Sequence, residues 1–173
     1  MHTITADAVT KRISAPAETL YSLVSDVTRT PEWSPEVVEC QWDTTDAGPH
    51  VGARFTATNR RRWLRWRNHP VVDQADPPRE FSVTRTEKGA GTLRWVYRLE
   101  PIGDAQTDVT LAYEVLTPVT TAFLVILRLL FGVSDLEADL HGNLRSSLDR
   151  IAVIAEAEMA GSPADPPNHG RSA

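Results

Sequence analysis

The sequence has a single cysteine, Cys40, in 173 residues. One thiol excludes an intrachain disulfide and any cysteine-cluster metal site. Lysine is scarce because arginine outnumbers it sixteen to two, a ratio in keeping with a GC-rich genome. The net charge of -5 argues against a dedicated nucleic-acid binder, although a local basic patch remains compatible with it. No apolar run reaches the ~20 residues a membrane-spanning helix needs. The longest, VTTAFLVILRLLFGV over 119–133, is interrupted by Arg128, so no transmembrane segment is expected. The start, MHTITADAV, lacks a basic region followed by an apolar stretch. No secretion signal is therefore expected, and the cytoplasm is the expected compartment. No internal repeat is evident.

What is present describes one soluble domain. Hydrophobic residues make up 41% and charged residues 24%. A chain of this length buries roughly 70% of its unfolded surface, enough to enclose a cavity. The most telling stretch is TRTPEWSPEVVECQW, over 28–42. The helical pattern PAETLYSLVSDV before it ends at Val27. Pro31 and Pro35 should not continue a helix, and Trp33 between them is placed to plug one end of a core. Val37 and Val38 then open the first of several extended segments.

The order of elements follows from periodicity. Thr3 to Ile13 reads as a strand, and Pro16 opens a helix whose apolar face is Leu20, Leu23, Val24 and Val27. Four or five strands follow, separated by turns at 47–49, 75–78, 88–91 and 101–104, each with Gly or Pro. Leu93, Trp95, Tyr97 and Leu99 share one strand face with Arg94 and Arg98 opposite. Val109, Leu111, Tyr113 and Val115 repeat that alternation, as in an antiparallel meander with one wet face. A long helix from about Asp135 to Met159 closes the chain. Ser134 with Glu137 makes a capping box, and Gly132 ends the apolar helix before it. Its stripe is Leu136, Leu140, Leu144, Leu148, Ile151 and Ala155, with Glu137, His141, Arg145 and Asp149 on another side. The domain spans 1–160, and the tail over 161–173 has too little apolar content to pack, so it is expected to be disordered. The run 119–133 is first read as a helix buried on all sides. Partial exposure as a portal lip, a dimer contact or a membrane contact is the alternative. Monomer and homodimer both stay open.

In this order, ISAPAETLYSLVSDVTRTPEWSP, VGARFTATNRRRWLRW, ADPPREFSV, LRWVYRLEPIGDAQTDVTLAYEV and the closing LRSSLDRIAVIAEAE resemble the START-domain superfamily, also called SRPBCC. The similarity is to its polyketide cyclase/dehydrase-like branch and covers about Thr3 to Met159. The order and spacing of the pieces carry it more than any one of them. The resemblance implies an α+β helix-grip fold: a curved antiparallel sheet wrapped around a long C-terminal helix, with a cavity for an apolar ligand. It does not fix an activity, because the superfamily includes lipid carriers, hormone receptors, ring-closing cyclases, chaperone activators and the catalytic domains of Rieske oxygenases. This chain has neither the Cys/His pairs of an iron–sulfur cluster nor the His and carboxylate spacing of a mononuclear iron site. No metal and no cofactor are expected.

Candidate site residues follow from the predicted inner faces. Phe55, Trp66 and Trp95 are candidate cavity walls, with core packing as the competing role. Leu140, Asn143, Leu144, Ser147 and Leu148 are the candidates on the last helix. Asn143 and Ser147 bring polar groups to an apolar stripe, where they orient a ligand oxygen or bond the backbone. Tyr97 and Tyr113 need hydroxyl partners if buried, and either is a candidate proton donor. His69, read as the only strand histidine, is the first choice for a general base, although a lone histidine says little. In NRRRWLRWRNH, Arg60, Arg61, Arg62, Arg65 and Arg67 interleave with Trp63 and Trp66. Solvated arginines at a hairpin tip are the plain account, and an anionic head group or anionic lipid surface the functional one. Three functions compete: binding of a hydrophobic small molecule, cyclisation of a poly-carbonyl chain, and a co-chaperone-like interaction module.

Overall fold

Each alternating segment of the sequence forms a strand, and together they make two antiparallel sheets. The computed structural model describes residues 6–44, 48–87, 90–126, 128–129, 132 and 135–161. Strand β1 (Ala6–Ile13) pairs with β8 (Thr107–Thr117) in a sheet of order β1-β8-β7-β6-β5. Its other members are β5 (Val71–Asp76), β6 (Glu80–Glu87) and β7 (Gly91–Pro101). Strands β2 (Val37–Trp42), β3 (Phe55–Arg61) and β4 (Leu64–Asn68) form the second sheet. A bridge between Arg54 and Val71 joins the two, and Val72 N–H donates to the Ala53 carbonyl at 2.9 Å. The result is one curved, unclosed wall.

Among the described residues, seven strands follow the first helix, where four or five were expected. The arginine-rich segment forms the expected hairpin, with a tight turn between β3 and β4. Arg61 pairs with Leu64, leaving Arg62 and Trp63 as the turn. Arg62 adopts φ 57°, a left-handed conformation that costs a non-glycine residue about 1 kcal/mol.

The connection after the first helix also departs from expectation. Helix α1 (Ala17–Ser25) starts one residue after Pro16 and stops two residues short of Val27. The Asp26 carboxylate accepts from Thr28 N–H at 3.1 Å and starts a 3-10 turn over Val27–Arg29. Pro31 does not bar a helix here. It sits in the first turn of the short helix α2 (Thr30–Trp33), where its missing N–H has no partner to lose. Trp33 is 1% exposed, so its role as a plug holds.

Helix α4 (Leu136–Gly161) is the element the sheet wraps. Asp135 caps it, its Oδ1 accepting from Ala138 N–H at 3.0 Å. The expected cap, Ser134, lies outside the described residues, as do Thr3, Ile4, Ala47, Lys88, Gly89 and the tail from 162. Leu144, Leu148, Ile151 and Ala155 are buried in the core. The polar flank of α4 runs beside β1, where Lys11 meets Asp149 at 2.5 Å and His141 meets Asp7 at 2.7 Å.

The apolar run does not form a helix buried on all sides. Its described helical part, α3 (Thr121–Ile126), has no buried residue. Val125 and Leu129 are 52% and 75% exposed. A six-residue helix beside the cavity has only one side to bury, so the partly exposed reading replaces the buried one. Among the described residues, no helix is long and apolar enough to cross a membrane.

Candidate functional site

The wall formed by the two sheets and the inner side of α4 enclose a cavity of about 420 Å³. Strand pleating dictates what faces it, because every second residue points the same way. Strand β3 contributes Phe55, Ala57, Asn59 and Arg61. Strand β6 contributes Phe81, Val83, Arg85 and Glu87, and β7 contributes Leu93, Trp95 and Tyr97. Register places Phe81 beside Tyr97, Val83 beside Trp95 and Arg85 beside Leu93. Trp33 and the segment Ser34–Val37 cover one side, while Val119 and Phe123 form part of another.

Helix α4 divides its inner surface in two. Leu140, Asn143 and Ser147, at i, i+3 and i+7, line the cavity. Leu144, Leu148 and Ile151 point to the neighbouring side and are at most 1% exposed. Leu144 and Leu148 therefore belong to the packed core and not to the cavity wall. Phe55, Trp66, Trp95 and Tyr97 do line it.

The candidate proton-transfer residues separate in the same way. Tyr113 is completely buried outside the lining, with its ring 5.9 Å from that of Trp95. Its hydroxyl has no hydrogen-bond partner among the described residues. Burial, with Asp7 and Glu137, pushes its pKa up to about 12. His69 is exposed in the link between β4 and β5, not on a strand, and does not line the cavity. Its Nδ1 lies 3.1 Å from Thr56 Oγ1. Tyr97 remains at the wall. Its hydroxyl oxygen accepts from Trp33 Nε1 at 3.4 Å, and among the described residues its own proton is not committed. Burial raises its pKa.

Charged cavity residues were not anticipated by sequence reasoning. Arg61 is not a solvated tip residue. It donates to both Asp139 oxygens at 2.5 and 2.6 Å and to Glu36 Oε1 at 2.9 Å. Asp139 foremost, then Glu36, holds its pKa above the ordinary arginine range. Burial pushes the Glu36 carboxyl up, with Arg61 opposing. This clasp ties β3 to the α2–β2 link and to the first turns of α4. Its three residues, with Asn143, line both the cavity and an outer recess that also includes Arg60 and Arg62. Arg85 is a further charged residue of the wall. Burial pulls its pKa down, while Glu87 and Glu36 push it back up. The signal for it was available: continuing the period of two from Phe81 and Val83 puts Arg85 and Glu87 on the inner face.

Comparison with known proteins agrees with this geometry. A 30% identical solution structure, the polyketide-cyclase-like protein Cgl2372 from Corynebacterium glutamicum, aligns over 96% of this chain and 97% of its own, with a TM-score of 0.56. The Zhui aromatase/cyclase from a Streptomyces strain matches at 17% identity over 93% and 99% of the two chains, with a TM-score of 0.71. A START-superfamily protein from Mycobacterium smegmatis matches at 15% identity over 90% and 99%, with a TM-score of 0.68. At those two lower identities the likeness concerns the fold alone. No curated protein sequence matches. The sequence pattern described as polyketide cyclase/dehydrase and lipid transport matches residues 2–156. With nearly the whole chain covered by that pattern and a helix-grip fold around a cavity, the protein belongs to the polyketide cyclase/dehydrase and lipid transport family.

Proposed function

We propose that this protein binds a hydrophobic small molecule, of lipid or polyketide type, inside the helix-grip cavity. The observation that carries the reading is the cavity itself, about 420 Å³ and walled largely by aromatic and aliphatic side chains. Pockets of this size and character enclose most of a small ligand's surface. Burying such a surface yields several kcal/mol at ~25 cal/mol per Å² before ordering costs. Family membership supports the same reading. The test is native mass spectrometry of freshly purified protein, followed by titration with the neutral fluorophore Nile red. Wild type should bind the fluorophore. Val83→Trp, which pushes an indole into the cavity from β6, should weaken that binding at least tenfold. An unchanged affinity in this variant would place the fluorophore elsewhere and remove the support.

A second reading, cyclase catalysis, has one observation in its favour. The Tyr97 hydroxyl is held from one side by Trp33 and keeps its own hydrogen for a ligand oxygen. Enolisation or dehydration of a bound poly-carbonyl chain requires such a donor near a carbonyl. His69 lies off the cavity and is not the base; the basic groups at the wall are the carboxylates Glu36, Glu87 and Asp139, two of them bonded to Arg61. Turnover of a poly-β-ketone that is lost in Tyr97→Phe, with binding retained, would favour the cyclase over the carrier.

A further inference from the structure

We infer that the ligand of this cavity carries a carboxylate, or an equally acidic enol, and that Arg85 is the residue that receives it. This rests on the reading of the cavity as a ligand site and adds the chemical class of the ligand.

The argument begins with what Arg85 lacks. Strand β6 alternates, and its inner positions Phe81 and Val83 are apolar residues of the wall. Arg85 is the next inner position and lies opposite Leu93 on β7. An aliphatic side chain would satisfy the packing there. The side chain there is instead a guanidinium, half-buried and lining the cavity. Among the described residues it takes part in no hydrogen bond and no ion pair. Five arginines elsewhere in the fold are placed differently. Arg12, Arg29, Arg61, Arg94 and Arg98 each meet a carboxylate.

A half-buried guanidinium stays protonated and presents five N–H donors. Lining the cavity without a partner, it loses part of its hydration and gains no charge-assisted hydrogen bond from the fold in exchange. Two carboxylates influence it from a distance. Glu87 is two residues along the same face, and Glu36 is already bonded to Arg61. Neither bonds to Arg85, so its fork is available to an incoming group. The group that fits a planar fork of donors is a planar pair of acceptor oxygens, as in a carboxylate or the enolate of a 1,3-dicarbonyl.

Spacing constrains the rest of the ligand. Tyr97 lies opposite Phe81, four residues along β6 from Arg85. At ~3.3 Å per residue the two polar points are about 13 Å apart along the sheet. Val83 and Trp95 lie between them on the wall. The fitting molecule is therefore amphipathic: an acidic end at Arg85, an apolar middle, and room for an accepting oxygen near Tyr97.

The test compares dodecanoic acid with dodecanol at pH 8, the acid below its micellar concentration and the alcohol below its solubility limit, as competitors of Nile red. In wild type the acid should displace the fluorophore at a concentration roughly tenfold to a hundredfold lower than the alcohol. Arg85→Met should abolish that preference while leaving displacement by dodecanol in place. Arg85→Lys, which keeps the charge but not the fork, should retain part of it. Circular dichroism and melting temperature report folding of each variant, and Arg85→Gln replaces Arg85→Met if the latter does not fold. Equal displacement by acid and alcohol in wild type overturns the proposal and leaves the cavity reading standing. So does an acid preference that survives in Arg85→Met. Absence of fluorophore, acid and alcohol binding alike removes the cavity reading, and this inference with it.

Discussion

Arg61→Met should destabilise the protein, and the loss should shrink as the pH falls towards 4. In the native fold Arg61 bridges three elements through Glu36 and Asp139, and the three side chains are 26%, 28% and 23% exposed. Removing one partner of a fully buried pair costs ~3–5 kcal/mol, and an exposed pair is worth ~0.2–1 kcal/mol. An intermediate burial places this substitution near 2 kcal/mol, which lowers Tm by about 4–8 °C for a chain of this size. The pH dependence comes from Glu36. Its folded pKa lies above the unfolded value because burial opposes its charge and Arg61 only partly compensates. A raised carboxyl pKa means that the folded state holds the proton more tightly. Stability from this group is then full below the unfolded pKa and falls as pH rises towards the folded one. Without Arg61, burial and the neighbouring Asp139 act unopposed, so the decline deepens and extends to higher pH. The gap between wild type and variant should be widest near pH 7 and narrow towards pH 4. Denaturant unfolding at a series of pH values measures it. Because the clasp separates the cavity from the outer recess, the variant should also release Nile red faster. A gap that is constant with pH, or that widens in acid, would refute the electrostatic reasoning.

Other consequences are simpler. Cys40 is buried, and burial pushes its thiol pKa up to about 12, so the native protein should react with a disulfide reagent at pH 8 far more slowly than the unfolded chain. A native rate within tenfold of the unfolded one would contradict this. Leu144→Ala should cost ~2–5 kcal/mol, as for a core leucine, yet change the Nile red affinity of the folded protein by less than about twofold. Loss of affinity without loss of stability would return Leu144 to the cavity wall. The exposed arginines Arg60, Arg62, Arg65 and Arg67 should not support sub-micromolar DNA binding at ~150 mM salt, since four charges on an acidic protein bind weakly and lose affinity with salt. A filter-binding or anisotropy titration with a short duplex decides it.

What the sequence revealed depended on whether local periodicity was enough. The alternation in β7 and β8 survives intact, with Leu99, Val109, Leu111 and Tyr113 buried and Trp95 and Tyr97 at the cavity. The stripe on α4 was equally legible, since a 3.6-residue repeat forces Leu144, Leu148 and Ile151 onto one side. Periodicity does not say which edge of a stripe meets solid core and which meets empty space. That is why Leu144 and Leu148 were grouped with Leu140 and Asn143. Arg61 was misread for a different reason. Its partners lie 25 and 78 residues away in sequence, so nothing local distinguishes it from the solvated Arg60 and Arg62 beside it. Likewise His69 looked like a strand residue until the hairpin ended at Asn68.

Two strands on different sheets show how the cavity acquires direction. Along β3 the inner face runs Phe55, Ala57, Asn59, Arg61, and along β6 it runs Phe81, Val83, Arg85, Glu87. Each begins aromatic and ends charged. The charged ends converge, because Glu36 acts electrostatically on both Arg61 and Arg85. The consequence is a chamber with an apolar end and a polar end rather than a uniform oily pocket. Packing alone would favour aliphatic residues at positions 61 and 85, since an inward charge loses hydration that a methyl group never had. At Arg61 the fold itself offsets that loss with two carboxylates from other elements. At Arg85 it does not, and the same physical requirement is left for a ligand to meet. The difference between these two arginines, on equivalent faces of neighbouring parts of one wall, separates a residue that builds the chamber from one that selects what enters it.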